Sequence, residues 1–382
     1  MHTPSEKFDV IIAGAGPAGS TCALALKDAG LKVVVVEKSS FPRDKVCGDA
    51  IPGRAVKILK SIDPEYGIAM RSLAEKYETR STALHYDRRQ LIINWAGEAY
   101  TSPRIHFDNF LFGLMQRHAG ATIITGDSPQ QLIRSDGDVL LSLASGRRLQ
   151  SPLIIGADGA HSFVGRSFCS HAIARDHHVA SVRAYYSGVQ GLDENTNEVY
   201  FDKRYLPSYL WVFPIPGGLA NVGFGMLSAE IVRRKINIKQ AFYAFINNVP
   251  ALREKFSTAR QEGSLEGFGL PLGSLKVQMS GDNFMLAGDA ASLIDPITGE
   301  GIGNAMLSGK LAAERAIRCH GVGDFAASFM GNYDAAIDGA LGSELKARYK
   351  AQRLLFRFPF LLDAIFTAGQ NKFLRQMMQQ GL

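Results

Sequence analysis

Continuous apolar runs near the N-terminus are separated by a glycine-rich turn and a helical pattern. The first run, residues 10–13, has no polar alternation, which is typical of a strand buried on both faces of a parallel sheet. Gly14, Gly16 and Gly19 follow it, and then come apolar helical positions that we expect to end at Gly30. A second apolar run, residues 33–36, completes a strand, turn, helix and strand.

This unit predicts a dinucleotide-binding site. Gly14 permits the tight bend, Gly16 lets the backbone approach a pyrophosphate, and Gly19 allows the helix to pack near the strand. The helix then directs its free N–H groups at the anion. Glu37, eighteen residues after Gly19, is placed to accept hydrogen bonds from the ribose hydroxyls. Such a glycine triplet also occurs in ordinary βα turns, but this combination of neighbours favours the dinucleotide.

Two later stretches repeat the pattern of an apolar strand that ends in glycine and an acid. Residues 153–166 place Asp158 after a strand, and residues 283–313 place Asp289 after another, before a helix that begins near Ile302. Ligands of open α/β sheets bind at this edge. The alternative for Asp158 is a tight turn without a ligand.

Between these stretches the periodicity changes twice. It predicts a polar helix over residues 54–77, a hairpin over 81–85 and 90–95, an exposed Arg104, and a helix from near Asp108 to Gly120. Alternating patterns then predict short strands at 121–125, 131–133 and 139–143, and antiparallel strands at 179–186, 198–202, 210–215 and 219–226 followed by a helix over 231–247.

The predicted fold class is therefore α/β: a Rossmann-like dinucleotide-binding domain with an inserted antiparallel β-sheet substrate domain and a C-terminal helical segment. The predicted boundaries are 1–77, 100–174 and 276–340 for the first domain, 78–99 and 175–275 for the second, and 341–382 for the segment.

Candidate chemistry lies in the irregular loop 39–53 and in an aromatic cluster. Arg43 and Lys45 are placed to meet phosphate or ribose oxygens, and Cys47 lies in a flexible turn. The alternative for Cys47 is a buried structural thiol. The cluster is either a wall for a hydrophobic substrate or ordinary sheet core, and it comprises Tyr205, Tyr209, Trp211, Phe213 and Phe224.

In this order, the three glycine-and-acid stretches resemble the FAD-dependent oxidoreductases of the p-hydroxybenzoate hydroxylase fold. Within them, FPRDKVCGD and YLWVFP look like the geranylgeranyl reductase family. The usual P-x-x-Y-x-W-x-F-P of that family is one residue shorter here at its start, and its double glycine after the cysteine is Gly48-Asp49.

The resemblance implies a role for each matching residue. Asp289 would bind the ribitol of FAD, Gly301 and Ile302 would present backbone to the isoalloxazine, and Cys47 and the 209–214 segment would lie near the flavin and an isoprenoid channel. The predicted catalytic residues are Cys47, Tyr209 and Trp211. The predicted cofactor-binding residues are Gly14, Gly16, Ala18, Gly19, Glu37, Lys38, Arg43, Cys47, Arg104, Asp158, Asp289, Gly301 and Ile302.

The implied activity is hydride transfer from reduced FAD to a C=C bond of a prenyl or other hydrophobic substrate. A single glycine fingerprint of this kind is present, so we expect NAD(P)H to dock transiently or a reduced carrier protein to supply electrons. One alternative is a flavin monooxygenase or halogenase acting on an aromatic or polyketide-like substrate, although the F-x-x-P-x-S-x-G segment of halogenases is missing. Another is a nonenzymatic flavin-binding protein.

The charge and the cysteines give limited information about binding partners and cellular location. The net charge of +6 over 382 residues permits anionic partners without establishing one. The four cysteines are far apart, without C-x-x-C spacing, and no signal peptide is evident, so we expect a cytoplasmic protein. Neither a metal site nor nucleic-acid binding is indicated, because His177 and His178 are adjacent and no basic reading helix is present.

The C-terminal stretch 344–382 combines seven basic and two acidic residues with interleaved Leu, Ile and Phe. This composition predicts a helix lying on an anionic membrane, or an apolar lid over a substrate channel. The alternative, helices packed on the domain with a solvated basic face, stays open. The oligomeric state is not indicated.

Overall fold

The computed structural model describes residues 5–169 and 174–369. Its strands are β1 (Glu6–Lys7), β2 (Val10–Ala13), β3 (Val33–Glu37), β4 (Ala50–Ile51), β5 (Tyr77–Glu78), β6 (Ser81–Tyr86), β7 (Arg89–Asn94), β8 (Tyr100–Thr101), β9 (Thr122–Thr125), β10 (Pro129–Ser135), β11 (Asp138–Leu143), β12 (Arg148–Ser151), β13 (Ile154–Gly156), β14 (His178–Ser187), β15 (Thr196–Phe201), β16 (Tyr209–Ile215), β17 (Leu219–Leu227), β18 (Arg260–Pro271), β19 (Ser280–Gly281) and β20 (Phe284–Leu286).

The helices pack against these strands on several sides. They are α1 (Pro17–Ala25), α2 (Gly53–Ile62), α3 (Pro64–Arg71), α4 (Arg104–His118), α5 (Phe163–Phe168), α6 (Ser228–Arg234), α7 (Ile238–Asn248), α8 (Pro250–Lys255), α9 (Ile302–Val322), α10 (Ala327–Ile337), α11 (Ser343–Arg357) and α12 (Phe360–Gly369).

A sheet in the order β19-β20-β13-β2-β3-β9 forms the centre of the nucleotide-binding part, and it is parallel except between β19 and β20. The apolar runs of β2 and β3 are buried along their whole length, as expected of strands covered on both faces. Helices α1 and α9 pack so closely that a side chain would not fit at Gly309. A Cβ there would lie only 2.2 Å from the carbonyl oxygen of Ala18. The predicted Rossmann-like domain is confirmed.

The inserted sheet has the order β18-β14-β17-β16-β15-β6-β7. The hairpin β6–β7 joins it, as the sequence predicts, but β6 pairs with β15 in parallel, so the sheet is not purely antiparallel. Alternation gives no information about strand direction, which explains this difference. The described chain also contains two smaller sheets, with the orders β1-β12-β11-β10 and β4-β8-β5.

Three helix predictions were wrong at their boundaries. Residues 54–77 do not form one helix, because Asp63 caps a new helix at Pro64 that ends at Arg71. The segment 231–247 divides into α6 and α7 at Lys235, whose backbone is left-handed with φ 52°. Helix α4 begins at Arg104, four residues earlier than predicted.

The C-terminal segment is helical as far as Gly369. A π turn (Asp338–Gly342) joins α10 to α11, and α12 lies on β7 through an apolar cluster that contains Leu362 and Phe366. Lys372 and Arg375, which contribute to the predicted basic character, lie outside the described residues. In the part of the chain that is described, none of the helices has the length and apolar character needed to cross a membrane.

Candidate functional site

The glycine turn after β2 is closed so tightly that side chains would not fit. Gly14 has φ +101°, and a Cβ there would lie 2.4 Å from the carbonyl oxygen of Ala157. A Cβ at Gly19 would lie 1.8 Å from the carbonyl oxygen of Gly14. Helix α1 starts at Pro17 without a capping side chain, so its N-terminal dipole faces the open side of the turn. These features fit the pyrophosphate of a dinucleotide.

The predicted acid of the ribose site lies against this turn. Glu37 is buried at the end of β3, where one carboxylate oxygen accepts the N–H of Ala15 at 2.9 Å and the other accepts the N–H of Ser39 at 3.0 Å. The turn thereby fixes the orientation of the carboxylate, and its role in binding a ribose stays a prediction. Lys38, which was also predicted to bind the cofactor, is exposed, and Ala18 is buried in the interface of α1 with α9.

Arg104, predicted to be exposed, is only 3% exposed. Its Nε and Nη2 donate to the two carboxylate oxygens of Asp108 at 2.6 and 2.7 Å, and Nη1 of Arg43 donates to Asp108 at 2.9 Å. Burial would raise the pKa of Asp108, but the two guanidinium groups lower it. The predicted exposure of Arg104 was wrong because arginines are usually exposed. The i, i+4 spacing of Arg104 and Asp108 was the signal that could have indicated a buried ion pair.

The Cys47–Gly48–Asp49 turn is fastened to the inserted sheet by one amide. Nδ2 of Asn221, on β17, donates to the carbonyl oxygen of Cys47 and to a carboxylate oxygen of Asp49, each at 2.7 Å. Oδ1 of Asn221 accepts the indole N–H of Trp211 at 2.8 Å, and the hydroxyl of Tyr185 donates to Asp49 at 2.8 Å. The turn and the indole are therefore held as one unit.

Asp49 is an unusual acid for its position. It is fully buried, with φ 63°, and burial raises its pKa to about 6, opposed by its hydrogen bonds from Asn221 and Tyr185 and by the charge of Arg183. These partners could not be predicted from the sequence, since they lie more than 130 residues away along the chain. Arg183, itself buried, pairs with Asp44 of the same loop at 2.9 Å.

The members of the aromatic cluster lie on the two opposite faces of the inserted sheet. Tyr205 and Phe224 pack against Phe245 in the helix-covered core of the sheet. The other face carries a row that we call the aromatic row: Tyr209, Trp211 and Phe213. The face with Tyr205 and Phe224 is therefore sheet core, and the role of the aromatic row as a wall for a substrate stays a prediction.

The aromatic row touches two segments that the sequence singled out. A Cβ at Gly48 would lie 3.4 Å from the indole nitrogen of Trp211, so the Cys47 turn lies directly against the ring. At the other end of the row, the hydroxyl of Tyr209 donates to the carbonyl oxygen of Thr298, in the loop before α9. Burial raises the pKa of the Tyr209 hydroxyl well above its usual range.

The loop between β20 and α9 brings three predicted residues together. A Cβ at Gly301 would lie 3.4 Å from Oδ1 of Asp289, and Ile302 begins α9 as predicted. Nζ of Lys45 donates to Asp289 at 2.9 Å. Glu300, which the sequence analysis did not select, accepts the N–H of Gly303 at 2.6 Å, and burial raises its pKa to about 7.

Asp158 is near the glycine turn through its backbone. Its Cα would lie 3.0 Å from a Cβ at Gly14, whereas its carboxylate accepts hydrogen bonds from the Ser162 hydroxyl and from the backbone N–H groups of Phe163 and Val164. The side chain therefore caps α5. The structure brings Asp158 to the site but uses its carboxylate internally.

Within residues 5–169 and 174–369, no group of three or more His, Cys, Asp or Glu side chains is arranged to hold a metal ion. His177 and His178 instead contact the hydroxyls of Ser274 and Ser228.

Comparison with known proteins gives one family match and several relatives. A family model described as an FAD binding domain matches residues 7–190. A menaquinone reductase of Mycobacterium tuberculosis is 31% identical over 322 residues, covering 81% of this chain and 76% of that protein. A digeranylgeranylglycerophospholipid reductase of Methanosarcina mazei is 31% identical over 325 residues, covering 84% and 77%.

Solved structures resemble the whole chain. A geranylgeranyl bacteriochlorophyll reductase-like protein from Thermoplasma acidophilum superposes with a TM-score of 0.80 at 27% identity, covering 92% of this chain and 88% of that one. The flavin-dependent brominase Bmp2 superposes with a TM-score of 0.82 at 22% identity, covering 98% and 93%, which shows a shared fold alone.

Proposed function

Because this chain belongs to the geranylgeranyl reductase family of FAD-dependent oxidoreductases, we propose that it reduces carbon–carbon double bonds of a prenyl chain. Family membership follows from two curated reductases that are 31% identical over most of their length. The predicted enzyme class, an FAD-dependent oxidoreductase, is thereby confirmed. Bound and reduced, FAD supplies the hydride for such a reaction. The names of the two relatives motivate the choice of an isoprenoid substrate.

The observation that carries this proposal is the aromatic row between the Cys47 turn and the loop before α9. Both segments are those that the family places at the isoalloxazine, and the row joins them through Trp211 and Tyr209. An apolar wall fixed at both ends suits a chain without polar groups, because such a substrate is positioned by shape and by exclusion of water. The reaction needs this positioning more than it needs strong bases.

The protein must also supply a proton to the second carbon. The Cys47 side chain lies beside the guanidinium of Arg104, and the buried Asp49 carboxyl follows two residues later. With a pKa of about 6, Asp49 holds a proton more readily than an ordinary aspartate does. The Tyr209 hydroxyl already donates a hydrogen bond to the carbonyl oxygen of Thr298, so we assign it a positioning role.

For the electron donor we propose either NAD(P)H that docks transiently or a reduced carrier protein. The glycine fingerprint at Gly14 is taken by FAD in this reading, and the second sheet carries no comparable turn in the sequence. The two donors are distinguished by anaerobic mixing of the oxidised enzyme with NADH, NADPH or reduced ferredoxin. Bleaching of the flavin absorbance identifies the donor.

The substrate is tested by anaerobic reoxidation of the chemically reduced enzyme. A geranylgeranyl lipid and a prenylated hydroquinone, whose ring is already reduced and cannot accept electrons from the flavin, are offered with their saturated analogues as controls, and the product masses are measured by mass spectrometry. We expect flavin reoxidation and a gain of two hydrogens for each reduced bond with the unsaturated compounds alone. Reoxidation only by O₂, with an oxygen atom added to a substrate, would instead assign a monooxygenase.

A further inference from the structure

The outward side of the C-terminal helices exposes large apolar side chains within a short stretch. Leu354 is 50% exposed, Phe358 38%, Phe360 63% and Ile365 39%. Phe358 and Phe360 flank Pro359 where α11 ends and α12 begins, and their rings contact each other at a centroid distance of 5.9 Å. They form an apolar projection, which we call the phenylalanine knob (Phe358 and Phe360).

The same side of α11 is basic. Lys350, Arg353 and Arg357 are exposed and spaced at i, i+3 and i+7, so they share a face with Leu354. In the described part of the chain, no carboxylate oxygen lies within 4.0 Å of their charged groups, since the acids nearby are turned inward. The face therefore combines a positive field with exposed apolar side chains.

The inward side of α11 is firmly attached to the domain. Arg348 pairs with the buried carboxylate of Asp295 at 3.0 Å, Glu344 pairs with Arg54 at 2.6 Å, and the Gln352 amide donates to the carbonyl oxygen of Pro296.

Helix α12 is attached in the same way. Arg89 on β7 pairs with Asp363, and Phe366 is fully buried against the inserted sheet. The exposed groups therefore belong to an ordered surface and not to a frayed end.

We propose that this face of α11 and α12 docks on an anionic lipid bilayer. The phenylalanine knob would enter the boundary between headgroups and acyl chains, and the three cations would lie among the headgroups. The knob projects from the surface at a helix junction, which suits insertion into a fluid layer, and the charges of Lys350, Arg353 and Arg357 complement anionic lipid. The inference goes beyond the reductase activity and stands whatever the substrate is.

Vesicle co-sedimentation of the full-length, flavin-loaded protein tests the proposal. Vesicles of phosphatidylcholine alone are compared with vesicles that also contain phosphatidylglycerol, at low and high salt. We expect sedimentation with the anionic vesicles that weakens as salt rises. Replacing both rings, Phe358→Ser with Phe360→Ser, should abolish it, and Arg353→Gln with Arg357→Gln should weaken it by about five-fold for each charge removed.

Two matched variants control for the loss of exposed groups as such. Val232→Ser with Val322→Ser removes exposed apolar side chains elsewhere, and Arg253→Gln with Arg318→Gln removes exposed cations. Both should sediment like the wild type, and flavin absorbance verifies that every variant is folded. Equal sedimentation of wild type and knob variant, or none with anionic vesicles, would overturn the proposal. A change in oligomeric state in place of vesicle binding would assign the face to a second copy and overturn it too.

Discussion

Replacing Asp49 with asparagine is expected to change how stability depends on pH. Burial raises the pKa of Asp49 from 3.8 to about 6. A carboxyl whose pKa is raised by folding stabilises the fold fully below its unfolded pKa, and this contribution is lost as the pH rises through the folded value. At about 1.36 kcal/mol for each pKa unit, the whole loss is about 3 kcal/mol, of which roughly 1.4 kcal/mol falls between about pH 5 and pH 8.

The assay is urea denaturation, followed by circular dichroism, at the two ends of that pH range. Asp49→Asn has no carboxyl to ionise, so its free energy of unfolding should fall less than that of the wild type as the pH rises. Asp28→Asn, at an exposed position, controls for replacing an aspartate as such. If the wild type and Asp49→Asn lose the same free energy of unfolding over this range, the argument from burial is refuted.

Three further substitutions test other parts of the site. Asn221→Ala leaves a buried indole N–H unpaired, so we expect the free energy of unfolding in a urea titration to fall by about 2 kcal/mol. We also expect faster alkylation of Cys47, the one cysteine that is not buried. An unchanged alkylation rate would contradict the conclusion that Asn221 holds the Cys47 turn in place. Gly14→Ala should yield protein without flavin absorbance, whereas Gly30→Ala, also at positive φ but with open space around it, should keep its flavin. Tyr209→Phe should lower kcat by about ten-fold or less, because its hydroxyl holds a loop carbonyl; a much larger loss in steady-state kinetics would indicate proton transfer instead.

The glycine turns of the nucleotide-binding part could be predicted from sequence because each is a local arrangement. A buried strand, glycines that fill a turn and an acid at a fixed spacing lie within one short stretch, and the backbone geometry of Gly14 and Gly19 agrees with the reason for selecting them. The start of α9 at Ile302 was found in the same way. Helix boundaries at Asp63 and Lys235 were missed, since a capping side chain and a single left-handed residue interrupt periodicity without removing it.

The fastening of the Cys47 turn could not be predicted, because its partners are distant in the chain. Asn221 is 172 residues from Asp49, and nothing in an alternating strand pattern distinguishes an asparagine that faces the core from one that faces water. Arg104 differs, because its partner Asp108 is only four residues away on α4, and their spacing was a local signal that the general exposure of arginines outweighed.

The loop 39–53 was predicted to be irregular and functional, and its contacts show how a segment without long strands or helices is held in place. Arg43 reaches α4, Asp44 reaches β14, Lys45 reaches the acid before α9, Asp49 reaches β17, and Arg54, just after the loop, reaches α9 and α11. Side chains from one short stretch thus bind elements of both domains and of the C-terminal segment. These side-chain contacts hold a segment whose own backbone is largely irregular. A loop held in this way links the glycine turns to the aromatic row, and the hydride transfer that we propose would depend on the distance between them.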